Sequence, residues 1–391
     1  MADGSGLHRR MIARLDRPGL LFALIGLAGL ALPLVQFRPN RILPGEGLAL
    51  HQALPWGWAL TAALAALFLV APRLPLRARI ALPLAGVLGL MLALGAAAAV
   101  LTPEGDRMAR ISPSTGFWLA GLALSLMLAD AIARLNPPLR LRWLILGGAI
   151  AGIGAVLASG ALDQVSVMRE YQARQAVFLR EARAHLALAF GSLALALAAG
   201  LPLGVLLHGR MRMRGPVLSA LNILQTIPSL AMFGIMIPLF GWIAATIPGA
   251  AQAGISGIGP FPALVALFLY ALLPVVANTL AGLASVPQAA LEAARGLGMT
   301  RAQVLVQVML PLALPVLLAA VRIVLVQSIG LAVIAGLIGG GGFGTFVFQG
   351  LNQTAMDMVL LGALPTIALA LVAGIALDLL TRASRRERTA P

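Results

Sequence analysis

A chain of 391 residues that is 60% apolar, 10% charged and 5% aromatic, with mean hydropathy +0.96, is too apolar for one water-soluble globule, where about 25% of residues are charged. Its formal charge of +15 rests on arginine alone, since the sequence contains neither lysine nor cysteine. Those absences exclude a phosphate loop built around a lysine, Schiff-base chemistry on an amine, disulfides and thiolate metal sites.

A bilayer core of about 30 Å takes about 20 apolar residues per helix. Apolar runs recur at 19–37, 55–72, 80–101, 115–134, 143–161, 186–207, 216–240, 260–281, 312–337 and 357–380. They predict an all-α, polytopic membrane protein of about ten transmembrane helices. The runs are continuous rather than alternating, which excludes an outer-membrane barrel. The first run reads as a retained helix rather than a signal peptide, because Arg38, Pro39, Asn40 and Arg41 follow it where a cleavage site has small residues.

Residues 1–160 read as an N-terminal five-helix membrane block rich in Ala, Leu and Gly, in which Gly148 and Gly152 form a small-xxx-small packing pair. From Ala161 to Phe190 there is neither Gly nor Pro, and Val165, Met168, Phe178 and Ala182 fall on spacings that share a helical face. The stretch 161–183 is therefore expected to be an external amphipathic helix or linker leading into the sixth span. A second membrane block follows at 184–381, and 382–391 forms a basic cytoplasmic tail.

Arginine sets the orientation. The N-terminal segment (Arg9, Arg10, Arg14, Arg17), the even-numbered loops and the tail carry nineteen arginines, against eight on the other side: Arg38, Arg41, Arg107, Arg110, Arg169, Arg174, Arg180 and Arg183. The positive-inside rule then places both termini in the cytoplasm. The positive charge reads as basic loops at a membrane rather than as a nucleic-acid surface. The four histidines, His8, His51, His185 and His208, share no ligand spacing, so no metal site is expected.

The eighth loop carries the most information. Glu292, Ala293 and Ala294 are followed after three residues by Gly298, and after nine more by Val308, Met309, Leu310 and Pro311. Good helix formers around Glu292 predict a short helix, Gly298 a left-handed turn that ends it, and Arg301 to Met309 a second helical stretch before Pro311 opens the next span. The product is a helix-turn-helix projecting into the cytoplasm. This sequence resembles the EAA loop of permease subunits of ATP-binding-cassette importers, departing from its pattern only in Val308, where the family has Ile.

The resemblance extends over about 184–381. Gln225 to Ala231 with Ile237, Pro238 and Leu239, then Ala320, Val321 and Arg322, then Leu337 to Gly344 resemble permeases for quaternary-amine osmoprotectants such as glycine betaine, choline and carnitine. The added N-terminal block is that of a longer subgroup. The resemblance implies a type I importer permease core in the C-terminal half and an ATPase-coupling loop at Glu292, Ala293, Ala294, Gly298, Leu310 and Pro311. It also marks Gln225, Thr226, Pro228 and Ser229 as pathway candidates.

Other residues stand out by their depth. Arg322 lies about 15 Å past Pro311 along a helix, where a charge must face protein or water rather than lipid; it is either a pathway or gate residue or a packing clamp. Gln327 and Ser328 either line the pathway or bond to neighbouring helices. The glycines at 339–342, with Gly341 and Gly342 central, break the ninth helix and form either a gate or a tight turn at the outer surface.

Together these imply the membrane-spanning subunit of an osmoprotectant importer in a bacterial inner membrane, working by alternating access. Its implied partners are ABC ATPase subunits that carry ATP and Mg, a periplasmic or lipid-anchored substrate-binding protein, a second permease subunit in a homodimer, and membrane lipid, but no nucleic acid. The chain itself would hold no cofactor or metal and catalyse no covalent step. Two alternatives are an importer of another small solute such as an amino acid, and an ion-coupled secondary transporter. The latter is disfavoured because Asp130 and Asp378 fall near cytoplasmic helix ends and Asp357 near an outer one, leaving no intramembrane relay.

Overall fold

The computed structural model describes residues 17–386 except 42, 76, 104 and 107. Arg9, Arg10, Arg14, Arg107 and Arg388 of the orientation argument, and the end of the basic tail, lie outside the described residues. The chain divides into two compact units, Met1–Gln172 and Ala173–Pro391.

Among the described residues the first unit contains five long apolar helices: α1 (Arg17–Ala31), α2 (Gly57–Val70), α3 (Ala78–Leu101), α4 (Thr115–Leu135) and α5 (Leu139–Ala158). The run 19–37 does not stay helical to its end. Pro33 has no N–H and restricts the residue before it, so α1 stops at Ala31 and the chain continues as strand β1 (Val35–Arg38). Strands β2 (Glu46–Leu48) and β3 (Arg110–Pro113) flank β1 in an antiparallel sheet of order β2-β1-β3. This sheet has no counterpart in the all-helical expectation. Glycine lets α1 and α4 cross closely: a Cβ on Gly116 would lie 2.5 Å from the Gly29 carbonyl oxygen. Leu34, Phe68, Leu90, Ile111 and Leu124 fill the core between helices and sheet.

Below the sheet, helix α6 (Ser166–Ala173) is tied down by polar side chains. Glu170 is buried and pairs with Arg41 and Arg110. Ser166 donates to the Ile111 carbonyl at 2.8 Å, and Arg169 to the carbonyls of Ala109 and Asp106 at 2.8 and 2.9 Å. Residues 161–183 are thus not one external helix: α6 ends at Ala173, and the rest begins a much longer helix of the second unit.

That helix, α7 (Gln175–Gly209), runs parallel to α10 (Pro260–Ala284). Gly200 and Gly204 admit Val275 and Thr279 so closely that a Cβ at either would lie 2.7 or 2.6 Å from the neighbouring side chain. Between them the expected span at 216–240 is broken into α8 (Met211–Thr226) and α9 (Ser229–Thr246). Pro228 cannot donate an N–H, and it drives Ile227 to φ −66°, ψ 124°. After α10 come α11 (Gln288–Gly296), a helical turn at Arg301–Gln303, a π-helical turn at Val304–Met309 and α12 (Leu310–Leu331). A 3-10 turn (Ile334–Ile338), α13 (Gly344–Asn352) and α14 (Met356–Arg386) complete the unit.

Among the described residues eight helices are long and apolar enough to cross a membrane, and two shorter apolar helices, Arg17–Ala31 and Gly57–Arg73, bring the number to the ten expected.

Candidate functional site

At one end of the second unit, the segment between α10 and α12 folds into the helix-turn-helix that its sequence predicts. Helix α11 keeps Glu292 and Ala293 exposed and turns Ala294 inward against Leu283, Val304 and Ala313. Leu297, at its end, is 83% exposed. Gly298 has φ +76° and nothing within 4 Å of an added Cβ, so backbone conformation rather than space calls for glycine. Its N–H bonds back to the Arg295 carbonyl and that of Met299 to the Ala294 carbonyl, which closes the helix end.

Thr300 and Gln303 then cap the next turn reciprocally: the Thr300 N–H donates to Gln303 Oε1 at 2.8 Å, and the Gln303 N–H to Thr300 Oγ1 at 3.4 Å. The stretch up to Met309 differs from an ordinary α-helix. The Leu310 N–H reaches the Leu305 carbonyl, one residue farther than α spacing, because Pro311 has no N–H for the α ladder and its ring crowds the carbonyl four residues back. Leu310 and Pro311 begin α12 directly after this widened turn.

Midway along the unit lies the break between α8 and α9. Gln225 donates its Nε2 to the Tyr270 carbonyl at 2.7 Å, while the Tyr270 hydroxyl donates to the Ile227 carbonyl at the break itself. Thr226 bonds to its own helix at the Ile223 carbonyl, 2.7 Å away, and Pro228 and Ser229 start α9. Met232, Phe233 and Met236 beyond the break pack against Leu267 and Tyr270 of α10 and against Ala335 and Ile338. Helix α9 is therefore held to both α10 and the 3-10 turn.

Arg322 is paired with a carboxylate rather than with backbone carbonyls. Its Nη1 lies 2.7 Å from Asp378 Oδ1 on α14, and Asp378 Oδ2 takes Arg382 at 2.7 Å. The first unit repeats this arrangement with Arg79, Asp130 and Arg134, each ion pair at 2.9 Å. Farther along α12, Ser328 is buried and Gln327 half-buried.

At the end remote from α11, Gly339, Gly341 and Gly342 have φ of +73°, +76° and +86°. They turn the chain from the 3-10 segment into α13, and the Ile338 carbonyl accepts from the Gly259 N–H at the start of α10. The turn rests on Glu181 and His185 of α7: Glu181 Oε2 accepts from the Gly342 N–H at 2.9 Å and His185 Nδ1 from the Phe343 N–H at 3.4 Å.

The candidate residues thus fall in separate places: the α11 loop, the α8–α9 break, the Arg322 pair on α12, and the glycine turn. Sequence reasoning missed Tyr270, Asp378, Glu181 and His185 as their partners. Only the last two carried a sequence signal, a Glu and a His one helical turn apart.

Residues 196–386 match a family described as "Binding-protein-dependent transport system inner membrane component", and residues 16–168 one described as "ABC transporter permease YehY, N-terminal domain". The chain is 43% identical over 188 residues to the osmoprotectant import permease protein OsmW of Salmonella typhimurium, covering 48% of this chain and 82% of that one. It is 37% identical over 188 residues to the choline transport system permease protein OpuBB of Bacillus subtilis, covering 48% and 79%. An inward-facing structure of the MetNI methionine ABC transporter is similar over 54% of this chain and 97% of that one, with 28% identity and a TM-score of 0.47.

Proposed function

The chain belongs to the family of binding-protein-dependent inner-membrane transport components, and from that premise we propose that it is the permease subunit through which quaternary-amine osmoprotectants of the glycine betaine and choline type enter a bacterium. The permease role itself follows from the family. The coupling loop is the observation that carries the mechanism. An exposed Glu292 and Leu297 beside a left-handed Gly298 form a rigid, outward-facing knob continuous with α12.

A pair of such subunits, assembled as a homodimer with both termini of each chain cytoplasmic, seats two knobs in two ATPase subunits. Those subunits bind ATP and Mg and supply the energy of hydrolysis; this chain contributes the path and its gates. When the ATPases close, the knobs approach one another, and α12 carries that movement toward the glycine turn. Solute arrives from a binding protein on the outer side.

The substrate class rests on the OsmW and OpuBB similarity and on compatible chemistry. A quaternary ammonium is bulky and weakly hydrated, so a mostly apolar path with few charges suits it. A bare Arg322 would repel such a cation; Asp378 at 2.7 Å offsets that charge in part, since it also pairs with Arg382. Uptake of radiolabelled glycine betaine and choline by the complex reconstituted with its binding protein tests the proposal. Transport of either, with stimulated ATP hydrolysis, is the expected result. If neither moves while an amino acid such as methionine does, the substrate class is wrong and the permease role stands.

A further inference from the structure

Glu181 and His185 sit one turn apart on α7, 5% and 0% exposed, in a chain that has thirteen acidic residues and four histidines in all. A carboxylate this deeply buried is costly unless it is hydrogen-bonded and paired. Both groups accept from backbone amides of the glycine turn, Glu181 through Oε2 and His185 through Nδ1, while the buried His185 Nε2 has no hydrogen-bond partner among the described residues. Glu181 Oε2 also accepts from Thr345 Oγ1 at 3.3 Å, and its Oε1 pairs with the exposed Arg180 at 3.0 Å. Phe178, one turn before Glu181, lies with ring centroids 5.4 Å from Phe343 and 6.0 Å from Phe346. One face of α7 therefore grips one turn of chain by two acceptors and an aromatic contact.

The gripped segment holds three glycines at positive φ, a conformation that glycine adopts without strain. It follows α12, which begins at the coupling loop. Static packing needs no charge here, because an amide or an apolar contact would hold a turn without burying a carboxylate.

We propose that Glu181 and His185 are positioning residues that form a latch on the Gly341–Phe343 turn, closed in this structure and released when the permease opens at the end remote from the coupling loop. The inference rests on the permease reading above but not on the substrate class. Opening by α12 must withdraw the Gly342 and Phe343 N–H groups from α7, and refastening the latch restores the closed state. The latch thus sets the balance between the two states, and weakening it shifts that balance toward the state with closed ATPases.

The absence of cysteine allows a direct test. A Cβ built on Gly341 lies 3.2 Å from Ala184 Cβ, close to the roughly 3.5–4.5 Å of a disulfide. In the reconstituted complex, an Ala184→Cys/Gly341→Cys chain is expected to transport below the wild-type rate when reduced, because Gly341 holds φ +76°, to lose the remaining uptake on oxidation and to regain that lower rate on reduction. Unchanged uptake with the cross-link verified by mass spectrometry overturns the proposal.

Should the double variant fail to transport even when reduced, Glu181→Ala and Glu181→Gln decide. Glu181→Ala is expected to raise ATP hydrolysis without loaded binding protein severalfold while lowering uptake. Glu181→Gln, which keeps an oxygen for the Gly342 N–H, restores coupling. Uptake and basal hydrolysis falling together, or neither changing in Glu181→Ala, overturns the latch. A wild-type complex that hydrolyses ATP but moves no quaternary amine leaves these readouts intact and bears on the substrate class alone.

Discussion

Gly298 shows how one residue sets the shape of the coupling knob. Its φ of +76° lies in open space, so a side chain there meets no neighbour and pays only for backbone conformation, about 1–2 kcal/mol for a non-glycine residue and more for a β-branched one. Gly298→Val is therefore expected to leave insertion intact while tilting α11 and separating Glu292 from its seat. Uptake and transport-coupled ATP hydrolysis should drop together by about tenfold or more, measured on protein matched for membrane content. The need for glycine was legible in the sequence because the turn sits between two helix-forming stretches. Arg322 was legible as a charge at membrane depth, but its partner was not: Asp378 is fifty-six residues away, and no local pattern links them.

At the scale of elements, two helices are interrupted, and each interruption is bridged by a neighbour. Pro228 divides the seventh span and leaves the Ile227 carbonyl without a helical partner; Tyr270 supplies its hydroxyl. An unsatisfied buried carbonyl costs about 1–3 kcal/mol. Tyr270→Phe removes only that donor, so it should slow uptake severalfold while a thermal-unfolding assay in detergent shows a shift of a few degrees at most. Full uptake in that variant would show that the break does not need its bridge. The π-helical turn before Pro311 belongs to the same class of device, since the missing N–H of a proline is absorbed by widening the helix just where the coupling loop meets α12.

For the whole molecule, ten apolar helices and a nineteen-to-eight division of arginine predict an even number of crossings with both ends in the cytoplasm. Cysteine labelling reads this cleanly in a chain without native cysteine. A Cys at Gln303 should react with a membrane-impermeant reagent only after the vesicle interior is made accessible from the cytoplasmic side, and a Cys at Gln252 only from the other. Labelling of Gln303→Cys from the outer face would reverse the orientation and with it the placement of the coupling loop. The division at Gln172 and Ala173 falls inside the segment expected to be one surface helix. The change in texture there was visible, but the partners that split it were not.

Composition and run length determined the membrane class and the number of helices, because burying a backbone in lipid requires about 20 apolar residues per span whatever the packing. Local chemistry determined the coupling loop, where Glu292 to Pro311 encode helix, left-handed turn and proline stop within twenty residues. Only the tertiary structure decided where polar groups meet. Glu181 and His185 read as part of an outer amphipathic stretch, yet they are buried because α7 extends about three turns farther than the apolar run and lays them against a turn more than 150 residues on. The small sheet formed for the same reason: β1 and β3 are separated by more than seventy residues, and strand pairing depends on that distant partner rather than on either strand's own sequence.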